Sequence, residues 1–317
     1  MALYLTEEDV QRLLPMDRAM ACVEASLRGQ HTGEGVNQPR KRILLPQCSL
    51  HYMAAALPDE KMMGLKIYTI TRSAFRFIVL LYDSETGELL ALIEADHLGR
   101  IRTGAASGVA TKYMAWAGAS RVGLIGTGRQ ARTQLEAVAA ARKLSRVAVF
   151  GREKSRRQEF CREMSERLGL EISPAESAET AVRGSDIVIT ATNSREPVLR
   201  GDWLEAGTHI NAIGANMIDR RELDDATIAA AGLIAVDSVE QAKTEAGDLV
   251  YGLPSAGRNW QTVRELHEVV AGKRTRASAD EITLFKSCGI ALWDVAVGGY
   301  VYREAKAKGV GQLTQIL

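Results

Sequence analysis

Cysteine is scarce in this chain, and the four present (Cys22, Cys48, Cys161, Cys288) form no C-x-x-C pair and no spacing that suits a metal. Scattered thiols of this kind read as reduced, mostly buried small hydrophobes of a cytoplasmic protein, not as a disulfide framework. The five histidines, His31, His51, His97, His209 and His267, are equally dispersed. With no H-E-x-x-H or similar cluster, no protein metal site is expected. An excess of one charge is lacking too: 40 basic residues stand against 39 acidic ones, a formal net charge of +1. That balance gives nucleic acid or an anionic membrane no electrostatic reason to bind. Apolar runs stay well short of the ~20 residues a bilayer-crossing helix needs. Residues 1–9 lack the basic stretch and apolar core of a secretory signal. There is no internal repeat and no low-complexity segment. What remains is the composition of an ordinary globular enzyme, 46% hydrophobic and 25% charged, whose 317 residues suggest two domains.

Two patterns divide the chain. Thr6-Glu-Glu-Asp9 opens a helix with a polar cap and an acidic first turn, and apolar residues recur through Leu13, Leu14, Met20, Val23 and Leu27. Strand-like runs follow at 42–45, 50–56, 64–71, 75–82 and 89–94, the last two joined by the hairpin loop Asp83-Ser-Glu-Thr-Gly87. Strands without intervening helices predict an antiparallel or mixed sheet. A small-residue helix, Thr103–Met114, then leads to a different rhythm. Strands expected at 122–125, 147–150, near 170–172, 186–191, 208–213 and 233–236 alternate with helices at 130–143, 153–168, 177–183 and 222–231, as a doubly wound parallel sheet requires. A final helical pattern from about Ala279 to Lys308 returns to the first domain and makes it discontinuous. The expected fold is α/β: a Rossmann domain over 116–289, and a smaller α+β domain of 1–115 with 290–317.

Residues 121–131, Arg-Val-Gly-Leu-Ile-Gly-Thr-Gly-Arg-Gln-Ala, carry the clearest chemical signal. Gly126 permits a tight turn, Gly128 lets a pyrophosphate approach the backbone, and Ala131 lets the helix lie close on the strand. Thr127, Arg129 and Gln130 complete this G-x-G-x-x-A turn. The helix N-terminus adds free N–H groups and the positive end of its dipole. A bare G-x-G-x-x-A also occurs as a structural glycine turn. Its place between a strand and a helix, followed by the strand Arg146–Phe150, points to a nicotinamide or flavin dinucleotide. That second strand ends in Gly151-Arg152-Glu153-Lys154-Ser155-Arg156. An acid at the tip would hold ribose hydroxyls and select NAD. Arg152, with Ser155 and Arg156 close behind, offers a fork for a 2′-phosphate, so NADP(H) is expected over NAD(H). The same stretch also reads as a solvated charged helix face.

In order along nearly the whole chain, several segments resemble the ornithine cyclodeaminase/mu-crystallin family. They are Arg42-Ile-Leu-Leu-Pro46, Gly64-Leu-Lys66, Arg102-Thr-Gly-Ala-Ala106 with Ala110-Thr-Lys112-Tyr-Met-Ala115, Gly126–Ala131, Val236-Asp-Ser238, Ala246-Gly-Asp248 and Phe285-Lys-Ser287-x-Gly289. The family also contains an archaeal-type alanine dehydrogenase and reductases of cyclic ketimino acids. The resemblance implies a homodimer built through the strand-rich domain and a substrate lying against the nicotinamide. It implies Arg42, Lys66 and Arg102 as the substrate-carboxylate and catalytic positions, and adds Asn216, Lys286 and Ser287 to the cofactor contacts. Two guanidinium forks suit the carboxylate of a small α-imino or α-keto acid. Taken alone, Lys66 within Leu65-Lys66-Ile67-Tyr68 reads as pointing to solvent or into a cleft. The resemblance favours the cleft, where Lys66, its pKa lowered by arginines, would hydrogen-bond the carboxylate or protonate the imine nitrogen.

Two departures from the cyclodeaminase pattern weigh against ornithine. The loop after the fifth nucleotide-fold strand reads Gly214-Ala-Asn216, where an amide replaces an acid and cannot shuttle a proton. Ala55, before Leu57-Pro58, stands where the cyclodeaminases carry a glutamate. Phe285-Lys286-Ser287 likewise resembles the mu-crystallin-like reductases. The expected function is therefore NAD(P)H-dependent reduction of an α-imino carboxylate to an amino acid or cyclic imino acid such as proline or pipecolate. The alternatives are cyclodeamination of ornithine to proline and ammonia, alanine dehydrogenase-like reductive amination, and a binding protein that holds NADPH without turnover. Arg72 and Arg76 leave a dicarboxylic substrate open.

Overall fold

The structure, a computed structural model, describes residues 1–315. Its elements run in chain order as follows. The first stretch holds β1 (Ala2–Leu5), α1 (Glu7–Leu13), α2 (Met16–Thr32), β2 (Val36–Asn37), β3 (Lys41–Leu44), β4 (Cys48–Leu57), β5 (Met62–Thr71), β6 (Phe75–Asp83), β7 (Leu89–Glu94) and α3 (Asp96–Met114). Then come β8 (Arg121–Ile125), α4 (Arg129–Ala141), β9 (Arg146–Phe150), α5 (Lys154–Leu168), β10 (Ile172–Pro174), α6 (Ala178–Val182), β11 (Ile187–Thr190), β12 (His209–Ala212) and α7 (Asp225–Ala230). After these lie β13 (Ala231–Val236), α8 (Val239–Glu245), α9 (Gly247–Ser255), β14 (Val263–Glu265), α10 (Leu266–Val270), β15 (Ile282–Lys286), α11 (Ala291–Lys308) and β16 (Gln312–Thr314). Two compact units result, one of Met1–Ala106 with the chain from Gly289 onward, the other of Ser107–Cys288. The division falls inside α3.

The first unit is built on an eight-stranded sheet in the order β16-β1-β7-β6-β5-β4-β2, with β3 also on β4. Among the described residues only β1 and β7 run parallel; the other pairs of this sheet are antiparallel. Period-two alternation sets its faces. On β5, Met62, Gly64, Lys66 and Tyr68 point to one side, where α11 packs. Gly64 is required there, because a Cβ would lie 2.6 Å from the Leu80 carbonyl oxygen and 3.1 Å from Val295. The opposite face carries Tyr52, Ala54, Leu65, Ile67, Ile78 and Leu80, paired across strands by the register and partly exposed. The helix α1 starts on a capping box, with Thr6 and Asp9 satisfying each other's backbone N–H groups.

The second unit is an eight-stranded, wholly parallel sheet ordered β10-β9-β8-β11-β12-β15-β13-β14. This is the doubly wound Rossmann architecture the alternation predicts. Leu124, Val149 and Ile189 pack on α4 and α5 on one face. Val188, Ile210, Ile234 and Leu284 form the core of the other.

The single long helix expected from Ala279 to Lys308 is not one element. Its first part is β15, buried between β12 and β13, and the helix begins only at Ala291. Ile282-Thr-Leu-Phe is rich in β-branched and aromatic residues, and Gly289, at φ +81°, breaks the chain's direction before α11. The helix expected at 222–231 shortens to α7, because Asp224 caps it by accepting from the Thr227 N–H. The strands β1, β2, β14 and β16 and the helices α8 to α10 lie outside the sequence expectations.

Candidate active site

The turn between β8 and α4 in the second unit has the shape its glycines predict. Gly126 sits at φ +117°, and a Cβ there would lie 2.4 Å from the Ala191 carbonyl oxygen. Its N–H donates to the Phe150 carbonyl at 2.8 Å, tying the turn to the end of β9. Gly128 is the N-cap of α4 in extended conformation, with no side chain capping the helix and open space where a Cβ would stand. Uncapped N–H groups at a helix start, facing room with no side chain, fit a pyrophosphate. Ala131 is completely buried against the sheet, while Arg129 is exposed and Thr127 and Gln130 are half-buried.

Beyond the tip of β9 the cations part company. Arg152 is exposed. Glu153 takes Arg156 at 2.9 Å and the Ser155 hydroxyl at 3.1 Å, so these two are partly engaged by an acid of their own helix start. Arg157, which the sequence did not single out, turns inward. It donates to the Gly151 carbonyl at 2.9 Å and lies 5.5 Å from the Phe150 ring.

Below the Gly214-Ala-Asn216 loop lies a buried chain of charges. Glu222 accepts the Gly214 N–H at 2.7 Å, the Ala215 N–H at 3.2 Å and the Thr192 N–H at 2.7 Å. Asp248 accepts the Glu222 and Leu223 N–H groups, and Lys286 pairs with Asp248 at 2.9 Å and donates to the Ala215 carbonyl. Lys286 and Ser287, expected as cofactor contacts, have their side chains committed elsewhere. Lys286 is fully buried in this chain, and the Ser287 hydroxyl donates to Asp237 at 2.9 Å. A buried ammonium must keep its carboxylate, so Lys286 braces the loop from beneath, while Ser287 is tied to Asp237. Asn216, at the end of the loop, is partly exposed.

In the first unit, three elements far apart in sequence bring charges together. Lys66 on β5 and Arg102 on α3 are almost wholly buried, and both donate to one oxygen of Asp294 on α11. Lys66 Nζ lies 2.7 Å and Arg102 Nε 3.1 Å from Asp294 Oδ1. Two glycines leave room for the cations. A Cβ on Gly99 would stand 2.8 Å from Lys66 Nζ, and one on Gly289 would stand 2.5 Å from Arg102 Nη1. The ring of Phe77 lies 5.6 Å from Lys66 Nζ, and that of Trp293 lies 6.0 Å from the Arg102 guanidinium.

Arg40, absent from the sequence expectations, belongs to this group. It is 7% exposed, donates to the Gly289 carbonyl at 3.1 Å and approaches the Met53 sulfur at 3.8 Å. Met53 is directly opposite Lys66 in the register. Arg42 shares the face but stands one row further out, opposite His51, which in turn faces Tyr68. His51 stacks on Tyr68 at 4.5 Å and shares a 2.8 Å hydrogen bond with Ser49. Burial, with Arg42 and Arg40 adding to it, lowers the His51 pKa to about 4, so this imidazole is neutral near pH 7. The only signal for Arg40 is its spacing of two from Arg42, which puts both on one face of an extended chain.

Three cations against one carboxylate give the buried group around Asp294 a surplus of positive charge. Burial lowers the Lys66 pKa to about 8; Arg102 and Arg40 push the same way and Asp294 resists. Such a site attracts a small anion and holds a lysine able to give up its proton near neutral pH. Ala55, buried on β4 opposite Gly64, offers no negative charge for a second ammonium.

Known proteins share this architecture. The sequence profile of the ornithine cyclodeaminase/mu-crystallin family matches residues 2–309. A Delta(1)-pyrroline-2-carboxylate reductase of Bacillus cereus is 33% identical, with 98% of each chain covered. The structure of Thermococcus litoralis Delta(1)-pyrroline-2-carboxylate reductase in complex with NADH and L-proline superposes with a TM-score of 0.93. It is 35% identical, over 98% of this chain and 100% of that one. An archaeal alanine dehydrogenase dimer with bound NAD gives the same TM-score at 35% identity, over 100% of this chain and 99% of that one. The resemblance read from the motifs therefore holds along the chain, which belongs to the ornithine cyclodeaminase/mu-crystallin family.

Proposed function

We propose that this protein is an NAD(P)H-dependent oxidoreductase that reduces the carbon–nitrogen double bond of a small α-imino carboxylate. The observation that carries this reading is the buried Lys66–Arg102–Asp294 group with Arg40 beside it, in a chain that also holds an uncapped dinucleotide turn. The pyrroline-2-carboxylate reductases among its relatives, one of them seen with NADH and L-proline, support the same chemistry. A reduced nicotinamide, when bound, supplies a hydride from its C4 carbon. Arg102 and Arg40, with Arg42 a row away, hold the substrate carboxylate and so fix the imine carbon in place. Lys66 gives a proton to the imine nitrogen as the carbon gains the hydride, and the product is the amino acid or cyclic imino acid. Ala55 and Asn216 remove two carboxylates expected of an ornithine cyclodeaminase, which argues for net reduction.

The preferred cofactor in this reading is NADP(H). Arg152 is exposed beside Gly151 at the tip of β9, where an NAD-selective chain carries an acid. The functional unit is a homodimer formed through the uncovered sheet face of Tyr52, Leu65, Ile67 and Leu80, since an apolar face of that extent needs a partner. Among the described residues no helix is long and apolar enough to cross a membrane, and a cytoplasmic setting suits the free cysteines.

The test is a panel: NADPH oxidation with pyrroline-2-carboxylate, piperideine-2-carboxylate, and pyruvate with ammonia or methylamine, repeated with NADH. Rapid oxidation with a cyclic imine and a higher kcat/KM for NADPH are the expected results. Proline and ammonia formed from ornithine without net nicotinamide turnover would overturn the reductase reading, and a clear NADH preference would overturn the role of Arg152.

A further inference from the structure

Asp294 neither holds the substrate carboxylate nor gives the proton, yet Lys66 and Arg102 meet on it. It lies in the first turn of α11, fully buried between Trp293 and Val295, where packing alone would favour an apolar side chain. A buried carboxylate is costly unless its charge is matched. Here one oxygen, Oδ1, is matched twice, by Lys66 Nζ at 2.7 Å and Arg102 Nε at 3.1 Å. Asp294 Oδ2 and Arg102 Nη1 are buried too, and neither has a hydrogen-bond partner among the described residues. An unmatched guanidinium N–H beside an occupied Nε is a donor kept for something else.

Resting on the imine-reductase reading, we propose that Asp294 is a positioning residue. By engaging Arg102 through Nε it leaves the Nη1 edge for the substrate carboxylate, and by engaging Lys66 it aims the ammonium at the imine nitrogen. The glycines agree with this: Gly289, at φ +81°, clears the space beside Arg102 Nη1, and Gly99 clears the space beside Lys66 Nζ. The charged groups facing Lys66 are Asp294 on α11, Arg102 on α3 and Arg40 ahead of β3, and only Asp294 favours the ammonium. Loss of that single negative charge would leave a buried lysine between two guanidinium ions.

The experiment uses the full chain labelled with 13Cε-lysine, Lys66 being assigned by comparison with Lys66→Gln. The Lys66 resonance is followed from about pH 5 to 10, in parallel with kcat/KM on pyrroline-2-carboxylate. Asp294→Asn keeps the shape and removes the charge. Its Lys66 midpoint should fall by about one to two pH units, with a roughly 100-fold loss in kcat/KM whose alkaline limb moves by the same amount. NADPH affinity should stay within about twofold, since a fold intact elsewhere keeps its nicotinamide site. An unmoved midpoint in the folded Asn variant overturns the proposal. Asp294→Glu keeps the charge but displaces it, so kcat should drop about tenfold with little change in the midpoint. If the Asn variant does not fold, an undiminished kcat in the Glu variant overturns the proposal instead. Should the parent titrate as expected but reduce no imine, the reductase reading fails and the Lys66–Asp294 coupling still stands or falls on its own titration.

Discussion

Lys66 concentrates the site's chemistry in one titration. In the proposed reaction Lys66 is the acid and works in its protonated form, so its contribution should be present below about pH 8 and lost above it. A pH profile of kcat/KM should therefore show a limb falling about tenfold per unit beyond that point; a profile still flat at about pH 9.5 would remove Lys66 from the proton step. Lys66→Met should lose roughly 10²- to 10⁴-fold in kcat and shed the limb. The same shift acts on stability. The folded-state pKa lies below the ordinary lysine value of 10.5, so between about pH 8 and 10.5 the unfolded chain holds the extra proton, and this group's contribution to stability rises with pH. The sequence made Lys66 and Arg102 legible through their motifs. Arg40 was hidden because one arginine in Pro39-Arg-Lys-Arg42 already satisfied the motif. Asp294 was hidden because a lone acid in Leu-Trp-Asp-Val reads as the polar side of a surface helix, and only the tertiary fold shows that α11 is buried on nearly every side.

At the scale of elements, the two glycines of the nucleotide turn separate folding from binding. Gly126 combines a positive φ with a backbone oxygen 2.4 Å from the missing Cβ. Gly126→Ala should destabilise the protein by more than about 1 kcal/mol even without cofactor, measured by urea denaturation. Gly128 has open space, so Gly128→Ala should leave the urea midpoint nearly unchanged while raising the NADPH dissociation constant about tenfold or more. Equal stability losses in the two variants would mean that the turn serves structure alone. Strand–helix alternation through β8, β9, β11 and β12 was readable because each strand is a short apolar run closed by a turn. The strand β15 was not, since Ile282–Lys286 runs on toward a helical pattern and only the parallel neighbours β12 and β13 make it a strand. The loop brace of Glu222, Asp248 and Lys286 was equally out of reach, because its members come from three separate segments.

For the whole molecule, the proposed homodimer rests on the partly exposed apolar face of the first unit's sheet. If the proposed dimer forms there, Leu65→Asp, in the middle of that face, should yield a monomer in sedimentation velocity while the isolated subunit keeps its nicotinamide affinity; a wild-type chain that sediments as a monomer at micromolar concentration would refute the dimer. The same sheet has another property. Its strand β1, ahead of the second unit in sequence, is hydrogen-bonded to β16, which follows that unit, and the helix covering its Lys66 face is α11. During synthesis on the ribosome, the second unit has all its strands as soon as β15 emerges, but the first must wait with its sheet half-clad until the last turns arrive. Nascent chains stalled before α11 should therefore be the species most exposed to chaperones and proteases.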